Sequence, residues 1–220
     1  MLLIGAISAG AASAAEFAAS PSFPVKFKGH GSVGLLETKK GRSVTCTGGK
    51  ASGAAESSTL ATASVVFTGC HAEHFPLLTC NSAGMGSGEI ATTKMSGKPV
   101  NLDTTKTDVG ILLQPASGEV MAEFKCAFAP ISETLTVKGA VIGKFRRSEL
   151  NAFRSTLHLE FKAVVGTQEY TQIEGAGTQY FLTTEGSGTE PFAAEQSGIN
   201  EAEQGSTTLE AEEKEIKVIP

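Results

Sequence analysis

Between Glu119 and Gly143 the chain reads EVMAEFKCAFAPISETLTVKGAVIG, and apolar residues fall at alternate positions. Val120, Ala122, Phe124, Cys126 and Phe128 share one side of an extended chain, with Glu123 and Lys125 on the other. Strand side chains alternate faces, so the pattern predicts a strand with one face buried. Ala129-Pro130-Ile131-Ser132-Glu133 breaks it. Leu135, Val137, Gly139 and Val141 then alternate with Thr134, Thr136 and Lys138, which makes the whole stretch a β-hairpin supplying part of a sheet's inner face.

Shorter stretches of the same kind run along the rest of the chain. Val25 and Phe27 alternate with Lys26 and Lys28; Val33 to Glu37 and Ser43 to Thr47 follow, the latter with Val44 and Cys46 on one face. Gly48 to Ser58 holds a short polar strand at most, whereas Leu60 to Gly69 is rich in β-branched residues. Cys70 to Gly88 has no clean period. Glu89 to Met95, Lys98 to Leu102 and Val109 to Leu113 resume the strands. Phe145 to Phe153 reads as a helical turn or a charged loop. Thr156 to Val164 alternates well, and Gln168 to Glu174 and Gln179 to Thr183 read as further strands. The end, TTLEAEEKEIKVIP, favours a closing strand through Ile216-Lys217-Val218, against a Glu-rich helical composition. Turn signals separate the strands and no long helical period intervenes. The expected fold is all-β: an antiparallel sandwich, jelly-roll-like, with a closed or partly open barrel as the alternative.

Composition agrees. Of 220 residues, 40% are hydrophobic and 19% charged, with 25 Gly and no Trp, which suits a turn-rich β-domain with a real core. One all-β domain is expected over residues 16–220, its acidic region near 200–215 loosely ordered. The net charge of -5 resides in the acidic end: from Glu195 onward there are seven Glu and two Lys. No basic stripe is present to hold a phosphate backbone, so nucleic acid is not an expected partner.

Residues 1–15 resemble a signal peptide. Leu2 to Ile7 is apolar and Ala12-Ser13-Ala14 is an A-x-A cleavage pattern, although no Lys or Arg follows Met1. The apolar stretch is too short to span a bilayer, so no transmembrane segment is expected in the mature chain. Four cysteines in an exported chain imply two disulfides. Cys46 shares a face with Val44, and Cys126 with Phe124 and Phe128; both point inward. That favours Cys46–Cys126 with Cys70–Cys80 stapling a loop, and Cys46–Cys70 with Cys80–Cys126 is the alternative.

Few residues carry chemistry. Cys70-His71-Ala72-Glu73-His74 with Cys80 has metal-ligand residue types but no standard spacing, and a disulfide-stapled loop is preferred. Gly84-Met85-Gly86-Ser87-Gly88 leads to a strand and lacks the helix N-terminus that holds a phosphate. Two Asp, Asp103 and Asp108, supply a calcium cage poorly. His30 and His158 are isolated, no nucleophile elbow is present, and Tyr170 and Tyr180 are the only Tyr in a chain without the aromatics of a sugar platform. Glu119, Glu123 and Glu160 are the candidates for an acid–base pair.

Val65 to Cys70 (VVFTGC), Val109 to Gly118 (VGILLQPASG), Ala122 to Cys126 (AEFKC), Val137 to Gly143 (VKGAVIG) and Ala194 to Gly198 (AEQSG) resemble segments of a family of uncharacterised secreted bacterial proteins of similar length. The likeness covers most of the chain after the signal region and includes the four cysteines. It implies export and β-structure, and carries no activity, cofactor or catalytic residue. The expectation is therefore a secreted or cell-surface binding or structural module. It has no catalytic, cofactor or metal residues, and Cys46, Cys70, Cys80 and Cys126 are its disulfide positions. Its partner would be an extracellular ligand or envelope component. A secreted hydrolase using paired Glu residues is the alternative.

Overall fold

The computed structural model describes residues 14–72, 78–128, 130–164, 166–186, 190–196 and 206–220. In chain order its strands are β1 (Glu16–Ser20), β2 (Val25–Gly31), β3 (Gly34–Thr38), β4 (Ser43–Cys46), β5 (Gly48–Ala55), β6 (Ala61–Thr68) and β7 (His71–Ala72). There follow β8 (Leu78–Asn81), β9 (Ile90–Ala91), β10 (Met95–Asn101), β11 (Val109–Pro115), β12 (Val120–Phe128), β13 (Ile131–Gly139) and β14 (Val141–Phe145). The last are β15 (Thr156–Glu160), β16 (Ala163–Val164), β17 (Thr167–Gln168), β18 (Leu182–Glu185), β19 (Glu190–Gln196), β20 (Ser206–Ala211) and β21 (Glu215–Ile219). Every strand pairing is antiparallel. The one helical element among the described residues is a 3₁₀ turn, Arg147–Glu149, inside the stretch that reads ambiguously in sequence.

The all-β, antiparallel expectation holds; the sandwich is not confirmed, and one large sheet takes the barrel form given as the alternative. One sheet is a closed barrel, β12-β13-β18-β19-β3-β4-β7-β8, with β8 returning to β12. We call it the first ring. The second sheet runs β10-β11-β14-β15-β20-β2-β5-β6-β9, and Met95–Gly97 of β10 also pair with Ala61–Ala63 of β6, so this ladder too comes back on itself. A ladder that closes removes its own edges, which two open layers cannot do.

The rings share strands. Residues 25–38 and 43–55 form one hairpin whose register never shifts: Val25 faces Ala55, Gly31 faces Gly49, Gly34 faces Cys46 and Glu37 faces Ser43. Residues 61–72 continue against 43–55, from Ala55 opposite Ala61 to Val44 opposite Ala72. Residues 131–145 pass from one ring to the other with a break at Gly139, whose φ of 102° is closed to side chains. A Cβ there would lie 2.2 Å from the Phe181 carbonyl oxygen, so backbone packing also demands glycine.

One continuous core fills both rings, from Phe17, Val25 and Phe145 to Val44, Phe124 and Leu182. In β12 a register shift between Val120 and Ala122 turns both Met121 and Ala122 inward. β11 is buried on both faces. Val109, Ile111 and Leu113 join the main core, while Leu112 packs with Ala140 and Ile142 under Val100, Leu102, Tyr170, Ile173 and Tyr180. A run of consecutive apolar residues is the expected signature of such a strand. Residues 169–181, read in part as strands from sequence, instead form an irregular strap across this outer face, tied by Glu174 N to Asn101 O (2.9 Å) and Tyr180 N to Thr171 O (2.7 Å).

The two chain ends meet. β1 pairs with β21, and Phe17 sets its ring edge-on to Phe145, 6.3 Å between centroids. Asn151 N donates to Val218 O, Phe17 N donates to Ser58 O, and Arg154 bridges to Ile216, so this terminal flap is fastened over the end of the second ring. The closing strand expected from Ile216-Lys217-Val218 is β21, and Ser206–Ala211 of the acidic region is β20. Residues 200–205 of that region and residues 1–13 of the signal-like segment lie outside the described residues.

Candidate functional site

Inward-facing apolar residues leave two voids inside the rings. The larger, about 120 Å³, lies where the rings join, bounded by Leu35, Leu36, Val44, Phe67, Met121 and Leu182 among others. The smaller, about 80 Å³, lies in the second ring under the terminal flap, against Phe17, Val25, Phe145, Leu157, Leu209 and Ile216. Ala51, Val65, Met95, Leu113 and Phe161 border both. Polar residues are scarce on the walls: Thr92 and Lys50 at the larger void, Ser155 at the smaller. Lys50 is exposed and stands opposite His30, on the outward parity of β5.

The partition between the voids has a specific construction. Gly143 occupies an inward position of β14, between Val141 and Phe145. The Phe161 ring covers it so closely that a Cβ on Gly143 would lie 2.7 Å from two ring carbons. The missing side chain on one strand is thus the seat for an aromatic side chain from beyond the end of β15. Opposite it, Met95 contributes a flexible thioether that adapts its shape readily.

Empty apolar volume is destabilising. At roughly 24 cal/mol per Å³, the voids cost on the order of 3 and 2 kcal/mol, against a typical net stability of about 5–15 kcal/mol. Cavities of this character are known to stay dry and to admit small hydrocarbons; one of ~150 Å³ takes benzene. No charged side chain faces inward at the partition, so what fits there is apolar matter without formal charge.

The first ring carries the four cysteines, and Cys46 itself borders the larger void. They lie in one row across four neighbouring strands. The register of β4 and β7, with Thr45 opposite His71, brings Cys46 and Cys70 together. Cys80 N donates to Cys70 O at 3.0 Å, and Cys80 is the cross-strand partner of Cys126. The disulfides are Cys46–Cys70 and Cys80–Cys126. All four side chains are buried, which parity predicts for Cys46 and Cys126. The favoured Cys46–Cys126 pairing is overturned because three strand spacings separate those residues, about 14 Å along the sheet, whereas a bridge spans Cα atoms no more than about 7 Å apart. Cys80 belongs to a strand and not to a loop. Of the metal-like cluster, Glu73 and His74 lie outside the described residues, and Cys70 and Cys80 are both in disulfides.

Comparison with protein-family models, with curated proteins and with solved structures gives no match.

The candidate acid–base glutamates do not meet a common partner. Glu119 is exposed and sits 3.8 Å from Lys138; Glu123 accepts a hydrogen bond from Thr136 Oγ1; Glu160 pairs with Arg146 and Lys162. His158, isolated in sequence, is held by Glu149 of the 3₁₀ turn, whose carboxylate meets the ring Nδ1 and accepts the His158 backbone N–H at 2.8 Å. His30 is exposed on β2. Asp108 receives two hydrogen bonds from Arg147 and one ion pair from Lys144, which hold its carboxyl down at about 2. Asp103 is lowered by hydrogen bonds from Thr107 within its turn. Tyr170, in the strap itself, is pushed up to about 12, chiefly by its burial against the outer face and then by Glu169. These groups anchor turns and the outer strap. The residues that shape the interior, Met95, Gly143 and Phe161, carry no chemical signal in sequence; only the inward parity of Phe161 with Leu157 and Leu159 was readable.

Proposed function

We propose that this protein is an exported binding module that takes a small apolar ligand into its barrel interior. The observation that carries the reading is the pair of adjoining voids, lined almost wholly by apolar residues and retained at a cost of several kcal/mol. An unfilled space of that cost is accounted for when a ligand fills it. Export is supported by two disulfides, by the A-x-A pattern at Ala12-Ser13-Ala14, and by the resemblance to secreted bacterial proteins. No helix among the described residues is long and apolar enough to cross a membrane. The outward faces of strands such as β2 and β12 carry Lys26, Lys28, Glu123 and Lys125, the reverse of the lipid-facing pattern of a membrane-spanning barrel. Binding is preferred to hydrolysis because Glu119, Glu123 and Glu160 are each engaged separately.

Thermal unfolding with and without benzene tests the proposal. A ligand that binds only the folded state stabilises it by about 2.7 kcal/mol at a hundred times its Kd, so the melting temperature should rise with benzene concentration. Val65→Ile places one more methyl group on the wall common to both voids, and should shrink that rise while leaving the unliganded protein at least as stable. Absence of any benzene-dependent rise, or an identical rise in Val65→Ile, would sink the reading.

A further inference from the structure

We propose that the two voids are halves of one site for a single unbranched alkyl chain, and that Phe161 sets the length of chain accepted. The inference rests on the interior being a binding site, as above. The voids follow one another from the ring junction to the terminal flap and are divided by one layer of side chains, Phe161 with Ala51, Val65, Met95 and Leu113. The largest member of that layer is Phe161, which follows β15 and is half-buried, and its seat exists because Gly143 presents no side chain. Turning that ring aside, with Met95 adjusting, joins about 120 and about 80 Å³ into one narrow passage. A passage whose walls are apolar but for a few residues such as Thr92 and Ser155 fits a flexible methylene chain. A polar head group would find no partner at the dividing layer and is better placed at a mouth.

The chemistry makes the length limit measurable. Each buried methylene contributes ~0.8 kcal/mol, about a fourfold gain in affinity. Affinity should therefore climb with chain length and stop where the chain meets Phe161. The experiment is calorimetric titration of the disulfide-intact protein with linear 1-alkanols from butanol to dodecanol, for the unaltered chain, Phe161→Ala and Phe161→Leu. The expected result is a cut-off in the unaltered chain, a cut-off at least two methylenes longer in Phe161→Ala, and an intermediate one in Phe161→Leu. The same cut-off in all three overturns the role of Phe161. Should Phe161→Ala fail to fold, as judged by its melting transition, Phe161→Leu decides alone. If the unaltered chain binds no alkanol at all, it is the interior-binding proposal that falls, and the two failures are thereby distinguished.

Discussion

The two rings are built from the same long strands yet are sealed in different ways. The first is a complete ladder crossed by Cys46–Cys70 and Cys80–Cys126, and its inward face includes hydroxyls at Thr38 and Thr184. The second has no disulfide among the described residues, and it closes between β6 and β10 over only three residue pairs. Its end is covered by the terminal flap instead of by covalent bonds. The difference separates holding from admitting. Covalent cross-links oppose unfolding of one ring, while hydrogen bonds that can open locally cover the smaller void in the other, and segments held in that way belong to the low-stability end of a fold.

The largest effect should come from the stapled side. Cys80–Cys126 closes a loop with a sequence separation of 46, and Cys46–Cys70 one of 24. Chain entropy assigns about 4 and about 3 kcal/mol to loops of these lengths. The double variant Cys80→Ser with Cys126→Ser should therefore lose more stability in urea titration than Cys46→Ser with Cys70→Ser. A reversed order would show that the first ring is not held by loop closure.

The next largest effect is on the flap. Phe17→Ala removes a nearly fully buried ring from its contact with Phe145 and should cost roughly 3 kcal/mol. The distribution of the loss is more telling than its size. Amide exchange should quicken in β1 and β21 while the amides of β4, β8 and β12 keep their protection. Uniform quickening would mean that the rings open together and that the contrast drawn between them is false.

The smallest expected effect concerns Asp108, just ahead of β11 in the second ring. Its carboxyl is lowered to about 2 by Arg147 and Lys144, so its contribution is complete above the ordinary carboxylate range near 4 and is lost as pH falls toward 2. Because the Arg147 partner is mostly exposed, the contribution is about 1 kcal/mol. Asp108→Asn should be destabilised by that amount at neutral pH and should lose part of the dependence between pH 4 and 2. An unchanged acid profile would remove this ion cluster from the forces that hold the second ring.

Much of this architecture can be read from residue parity, and the remainder depends on partners far away in the chain. The alternation in 120–128 and 134–141 gives β12, β13 and the start of β14 because a half-buried strand imposes it locally. Parity also turns Cys46 and Cys126 inward, but it says nothing of which strand lies beside which, and neighbour order is what chose the bridges. For the same reason the sandwich and barrel alternatives cannot be told apart before the pairings of β8 with β12 and β6 with β10 are known. Parts of residues 169–181 read as strands, yet Tyr170, Ile173 and Tyr180 pack, partly buried, against an outer face and not in a ladder. The voids were the least legible feature. They arise from what Gly143 lacks and where Phe161 lies, two residues brought together only by the pairing of β14 with β15.

The partnership of β1 with β21 makes the first residues of the domain wait for the last. A chain made from its first residue onward has its opening strand ready early and no strand to pair it with until Glu215–Ile219 has been made. The terminal flap is therefore among the last parts of the domain to close, whatever the order in which the two rings form.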